Sequence, residues 1–265
     1  MNIYLHELKA YRKSTLVWVL LLCAGTLFLF SMFPAFAQNA TALTDALRNY
    51  PLIIQMAFGL FIDQIGSVNG FYSFIVTFLT LVGSVQAMTL GISVVSKETT
   101  GRTADFLLTK PVARGRVAIF KLMAVFTCVA VTSAVFIAAS AASAAAVSGA
   151  PFARKPFLLM ALSFFFVQSI FLALGFLLAS VVPKIRSVLP VALSCVFAFF
   201  VLGTVAAMLD SDALYYLSPF KYFETHHILL TSSYKPSFAL AAALVALGSA
   251  VAGLVIFTRR DVHAA

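Results

Sequence analysis

Six stretches of the chain, Leu16–Phe36, Phe71–Val95, Leu122–Ala150, Phe157–Val182, Val188–Leu209 and Ser237–Thr258, contain no Asp, Glu, Lys or Arg. An α-helix rises about 1.5 Å per residue, so roughly 20 apolar residues cross the ~30 Å hydrocarbon core of a bilayer. A helix of a water-soluble protein needs only an apolar stripe, with polar residues on its other face. Barrel strands alternate polar and apolar side chains over about ten residues, and none of the six does so. The expected fold is therefore all-α: a polytopic membrane protein with six transmembrane helices, in a single membrane domain over residues 1–265. The third and fourth runs are longer than a crossing requires, which implies tilt or an end outside the bilayer. Only 10% of the residues are charged, against about a quarter in soluble domains.

The net charge of +9 would point to nucleic acid in a soluble chain; here its distribution follows the spans. With the N-terminus in the cytoplasm, the inner segments 1–15, 96–121, 183–187 and 259–265 hold 13 of the 18 Lys and Arg residues. The outer segments hold only Arg48, Arg154, Lys155, Lys221 and Lys235. That is the positive-inside bias, and it sets both termini in the cytoplasm of a multi-pass protein whose partner is the lipid bilayer, not nucleic acid. The basic start, the first apolar run and "AFA" at Ala35–Ala37 have the layout of a secretory signal. The run exceeds the 7–15 residues of a signal core, so an uncleaved first span is expected.

The spans carry no charge that would mark a proton relay or a carboxylate-based ion path. No GxxxxGK[ST] phosphate loop occurs anywhere in the sequence, so any ATP consumed is consumed on a partner. Cys23, Cys128 and Cys195 fall in three different spans without metal-ligand spacing, and no metal or cofactor is expected on this chain. Ser84, Gln86, Gln168 and Ser194 are polar groups within spans, able to line a substrate path or, as the favoured role, to hydrogen-bond between helices. Ser140, Ala144 and Ser148, four residues apart, form a small-residue packing face, either within the bundle or against a second copy.

One segment breaks the apolar pattern. "SKETTGRTADFLLTKPVARGRV", Ser96 to Val117, holds seven of the 27 charged residues in 22 positions. Thr99 or Thr100 can cap a short helix that Pro111 ends. Ala104, Leu107 and Leu108 share one face of it, opposite Arg102, Asp105 and Thr109. Such a helix lies beside the membrane on the cytoplasmic side; an ordinary solvated loop obeying the positive-inside rule accounts for the charges as well, but leaves the apolar face unexplained.

The pattern Lys97-Glu98, Gly101-Arg102-Thr103, Asp105, Leu107-Leu108, Pro111-Val112, Arg114 and Lys121 resembles the loop between the second and third spans of type-2 ABC transporter permeases. Asp105 stands where members of that family more often carry Glu. With six spans and matching topology, the resemblance covers the whole chain. It implies that the loop, about 96–117, is a short cytoplasmic coupling helix seated in a groove of a separate ABC ATP-binding subunit. Thr103, Asp105, Phe106, Leu107 and Leu108 would make the contact, Glu98 would brace the base, and Pro111 and Arg114 complete the motif. It further implies a permease subunit of an exporter in a bacterial cytoplasmic membrane. The permease would be paired with a second copy or a sister permease, and ATP and Mg would be bound on the partner.

Residues 1–14 place Tyr4, Leu8 and Tyr11 on one face and read as an interfacial helix leading into the first span. The first outer loop, 37–70, holds apolar segments broken by Pro51 and Gly59, consistent with short surface helices. The last outer loop, 210–236, gathers Asp210, Asp212, Glu224, His226 and His227 among aromatic residues. Adjacent histidines diverge by about 100° on a helix, unlike the i, i+4 pair of a metalloprotease, and the aromatic residues fit a membrane-interface belt. By resemblance this is the family's outer re-entrant hairpin. Two competing readings are a membrane enzyme acting at the outer face through this loop, and a membrane anchor or assembly protein that transports nothing.

Overall fold

The computed structural model describes residues 3–41, 64, 66–100, 114–147, 152–182, 184–209 and 211–259. Nine α-helices run through the described residues, which contain no strand: α1 Ile3–Ser31, α2 Phe33–Gln38, α3 Val68–Thr100, α4 Arg114–Val147, α5 Arg154–Val181, α6 Val188–Leu209, α7 Asp212–Tyr215, α8 Thr225–Thr231 and α9 Pro236–Arg259. Six of them, α1, α3, α4, α5, α6 and α9, are long and apolar enough to cross a membrane. The expectation of an all-α, six-helix membrane protein holds.

The N-terminal segment is not a separate element. α1 runs without interruption from Ile3 through the first apolar stretch to Ser31. The basic residues Lys9, Arg12 and Lys13 lower the local hydropathy but are good helix formers. The chain turns first at Met32, just before Pro34 restarts it as α2. α3 and α4, at 33 and 34 residues, are about 50 Å long and extend well beyond a hydrocarbon layer.

α3 and α5 form the centre: 72% of the α3 span and 61% of the α5 span are buried, against 17% for α6 and α9. Glycines allow the central pair to approach backbone to backbone. A Cβ placed on Gly175 would lie 2.6 Å from the Met88 carbonyl oxygen, and one on Gly91 would overlap that of Leu172. Around this axis α1 packs chiefly on α4, α9 on α5, and α6 on α3. Outward faces of the peripheral helices stay apolar, as with the exposed stripe Leu240, Leu244, Leu247 and Val251 on α9.

Buried polar groups pin the helices to one another. Gln168 on α5 accepts from the Ser133 hydroxyl of α4 at 2.7 Å and donates to the Gly83 carbonyl of α3 at 3.0 Å. Gln86 on α3 donates to Thr132 on α4 at 2.9 Å. Ser84 bonds back to Thr80 within its own helix, while Ser194 is exposed. Ser140 and Ala144 are fully buried in the packing face expected of them, and Ser148 lies outside the described residues.

Candidate functional site

At the end of the bundle that carries the N-terminal turns, α1 is tied to both helices that flank the charged loop. The Lys121 ammonium, near the start of α4, donates to the Glu7 carboxylate at 2.6 Å, with the two side chains 9% and 12% exposed. Tyr11 accepts from the Ser93 hydroxyl of α3 at 3.2 Å, and its ring lies 3.9 Å from the Lys97 ammonium. Tyr4 is hydrogen-bonded to Thr127 of α4 at 3.0 Å. A pair as shielded as Glu7 and Lys121 is costly to break on one side, because the remaining charge is left buried.

Of the residues singled out for coupling, Thr103, Asp105, Phe106, Leu107, Leu108 and Pro111 lie outside the described residues. Glu98 falls in the last turn of α3, and Arg114 opens α4; the side chains of both lie outside those described. Their helices are the two that α1 grips through Lys97 and Lys121. The Glu7–Lys121 pair was missed by sequence reasoning because its partners are 114 residues apart and charge alone does not select among many acids and bases.

At the opposite end, the 211–235 segment folds as α7, a 3₁₀ turn at Pro219–Lys221, and α8. It reverses at Ser232, whose φ of 51° lies in the left-handed region, and enters α9. It is docked by side chains rather than spread over the surface. Ser218 donates to the Phe199 carbonyl of α6 at 2.8 Å and Tyr234 to the Leu159 carbonyl of α5 at 2.7 Å. Phe220 packs on Phe171 and Phe200, and Phe223 stacks on Phe166 at 5.3 Å. Gly203 on α6 admits this docking, since a Cβ there would lie 2.7 Å from the Ser218 hydroxyl. Burial pushes the Tyr234 phenol up to about 12 and raises that of Tyr222 as well.

The two histidines diverge. His226 lines a cavity of about 70 Å³ between α3, α5, α6 and this segment. His227 lines a separate hollow with Tyr222, Tyr234 and Lys235. Among the described residues no group of three or more His, Cys, Asp or Glu side chains could hold a metal ion. Glu224 is paired with Lys235 at 3.4 Å; Asp210 and the Asp212 side chain lie outside the described residues. The cavity is lined by Thr77 and Thr80 of α3, Ser163 of α5, Thr204 of α6 and Lys221, among apolar residues that include Val167 and Phe200.

No curated protein matches the sequence. The family model for ABC-2 family transporter proteins matches residues 1–262. Six membrane-spanning helices around one polar-pinned axis, with a charged loop set between α3 and α4, fit that match over nearly the whole length, and the chain belongs to the ABC-2 transporter family.

Proposed function

We propose that the chain is the permease subunit of an ATP-driven ABC exporter, with both termini and the 96–117 loop in the cytoplasm of a bacterial inner membrane. The observation that carries this reading is the family match over residues 1–262 in a chain without a phosphate loop. ABC-2 permeases generally work with ATP-binding subunits, so hydrolysis, and the ATP and Mg it needs, belong to such a partner. The loop is its coupling handle. Leu107 and Leu108 seat in the ATPase, Thr103, Asp105 and Phe106 complete the contact, Glu98 braces its base, and Pro111 and Arg114 turn it back into α4. Two permeases, identical or sister, line the path between them. Closure of the ATPases moves the loop, and the Glu7–Lys121 and Tyr11–Lys97 contacts carry that movement into α1, so that access switches between the two faces.

The test is a mild-detergent pull-down from the native host, comparing the wild-type chain with Leu107→Asp/Leu108→Asp. Expected is an ATPase that co-purifies with the wild type and is lost from the variant, while the variant inserts at normal levels. If no ATPase accompanies the wild type under several gentle conditions, the permease reading fails.

A further inference from the structure

Lys221 is the one lysine or arginine among the described residues that line the 70 Å³ cavity, and it stands there without a hydrogen-bond acceptor among those residues. Its stem is threaded past Gly203 of α6, where a Cβ would meet the Lys221 Cγ at 3.5 Å. The 3₁₀ turn Pro219–Lys221 is anchored by the Ser218 bond to Phe199, which fixes where the lysine side chain starts. Tyr215 offers only the edge of a cation–π contact, its ring 6.0 Å away, which is near the limit of such interactions. Glu224 also lines the cavity, but its carboxylate is engaged by Lys235.

A half-buried ammonium with unused donors on the wall of a cavity is met either by water or by an anion. The lining also carries hydroxyls. Thr77, Ser163 and Thr204 each donate to a carbonyl of their own helix, Ser73, Met160 and Phe200 respectively. A hydroxyl proton rotates at little cost, so these groups can turn to a ligand oxygen without leaving a helix carbonyl unbonded. The space takes several water-sized groups, enough for a tetrahedral oxyanion and too little for a large organic cargo.

We propose that this cavity is a binding site for an anionic phosphate group, held by the Lys221 ammonium and the lining hydroxyls of Thr77 and Thr204. The phosphate arrives as the headgroup of an anionic lipid or as a free anion; the recognising chemistry is the same. Burial holds the Lys221 ammonium below the ordinary lysine value, an effect Glu224 partly offsets, and a bound anion favours the charged form further. The inference is independent of the ATPase and of the direction of transport, because the cavity is formed within one chain at the end remote from the coupling loop.

The experiment is the thermal midpoint of the full-length protein in neutral detergent. It is measured alone and with short-chain phosphatidylglycerol, short-chain phosphatidylcholine or inorganic phosphate. Saturating an anion site that exists only in the folded state raises the midpoint by about 5 °C. The shift is expected in the wild type and in Lys155→Gln, which removes a charge elsewhere, and is expected to vanish in Lys221→Gln. Thr77→Leu, which fills the cavity and leaves the lysine intact, is expected to abolish it too and serves if Lys221→Gln does not fold. A shift with phosphatidylglycerol but not phosphate identifies a lipid headgroup; a shift with both identifies the phosphate itself. The proposal is overturned by no shift with either, by an equal shift with phosphatidylcholine, or by a shift that survives Lys221→Gln or Thr77→Leu.

Discussion

Gly91 and Gly175 show how much of a membrane bundle rests on atoms that are missing. Lipid tails are as apolar as leucine, so helices in a bilayer associate through close packing and hydrogen bonds, not through exclusion of water. The α3–α5 contact uses both: backbones in touch at the two glycines, and Gln168 bonded to α3 and α4 a few turns away. Gly91→Val should therefore cost about 3 kcal/mol, the upper range for overpacking, because the atom in its way is backbone and cannot swing aside. At Gly248 an added Cβ would meet nothing within 4 Å, so Gly248→Ala should be neutral or stabilise by up to ~1 kcal/mol through helix propensity. Thermal midpoints of the two purified variants separate these outcomes; equal effects would mean that the α3–α5 approach is looser than described.

Among elements, α1 is where sequence and structure differ most usefully. The apolar run marks where a helix can cross a bilayer, but not where it starts. Residues 1–14 read as an interfacial helix leading into the first span because charge enters there; no proline interrupts the chain, Thr15 donates back to the Tyr11 carbonyl instead of capping a new helix, and α1 continues through. That continuity turns Glu7 into a brace, rigidly joined to the first span and clamped to Lys121. Glu7→Gln leaves the shielded lysine with less counter-charge and should cost about 3 kcal/mol. Glu7→Gln/Lys121→Met should recover most of that loss, since no charge is then stranded. A double-mutant cycle on thermal midpoints reads the coupling directly, and additive losses would show that the two side chains do not depend on each other.

For the whole molecule, the six apolar runs were legible because lipid demands uninterrupted apolar length. The clamp and the Lys221 cavity were not. Both join residues far apart in the chain, and in the sequence Lys221 is simply one of five outer positive charges, less conspicuous than the histidine pair beside it. Positive-inside charge also predicts orientation. In a chain with Cys23, Cys128 and Cys195 replaced, an impermeant maleimide added to intact cells should label Lys155→Cys and spare Lys9→Cys; the reverse pattern would invert the topology.

The Glu7–Lys121 clamp also has a place in time. Its two halves are separated by 114 residues, so at roughly 5–20 residues per second the ribosome needs about 6–23 s after making the acid to deliver the base. Through that interval the first helix must enter the membrane with this brace open, although its contacts with α3, among them those of Tyr11, can form before Lys121 is made. The clamp closes only once the nascent chain has passed the charged loop. A chain released before Lys121 is made never acquires the lock.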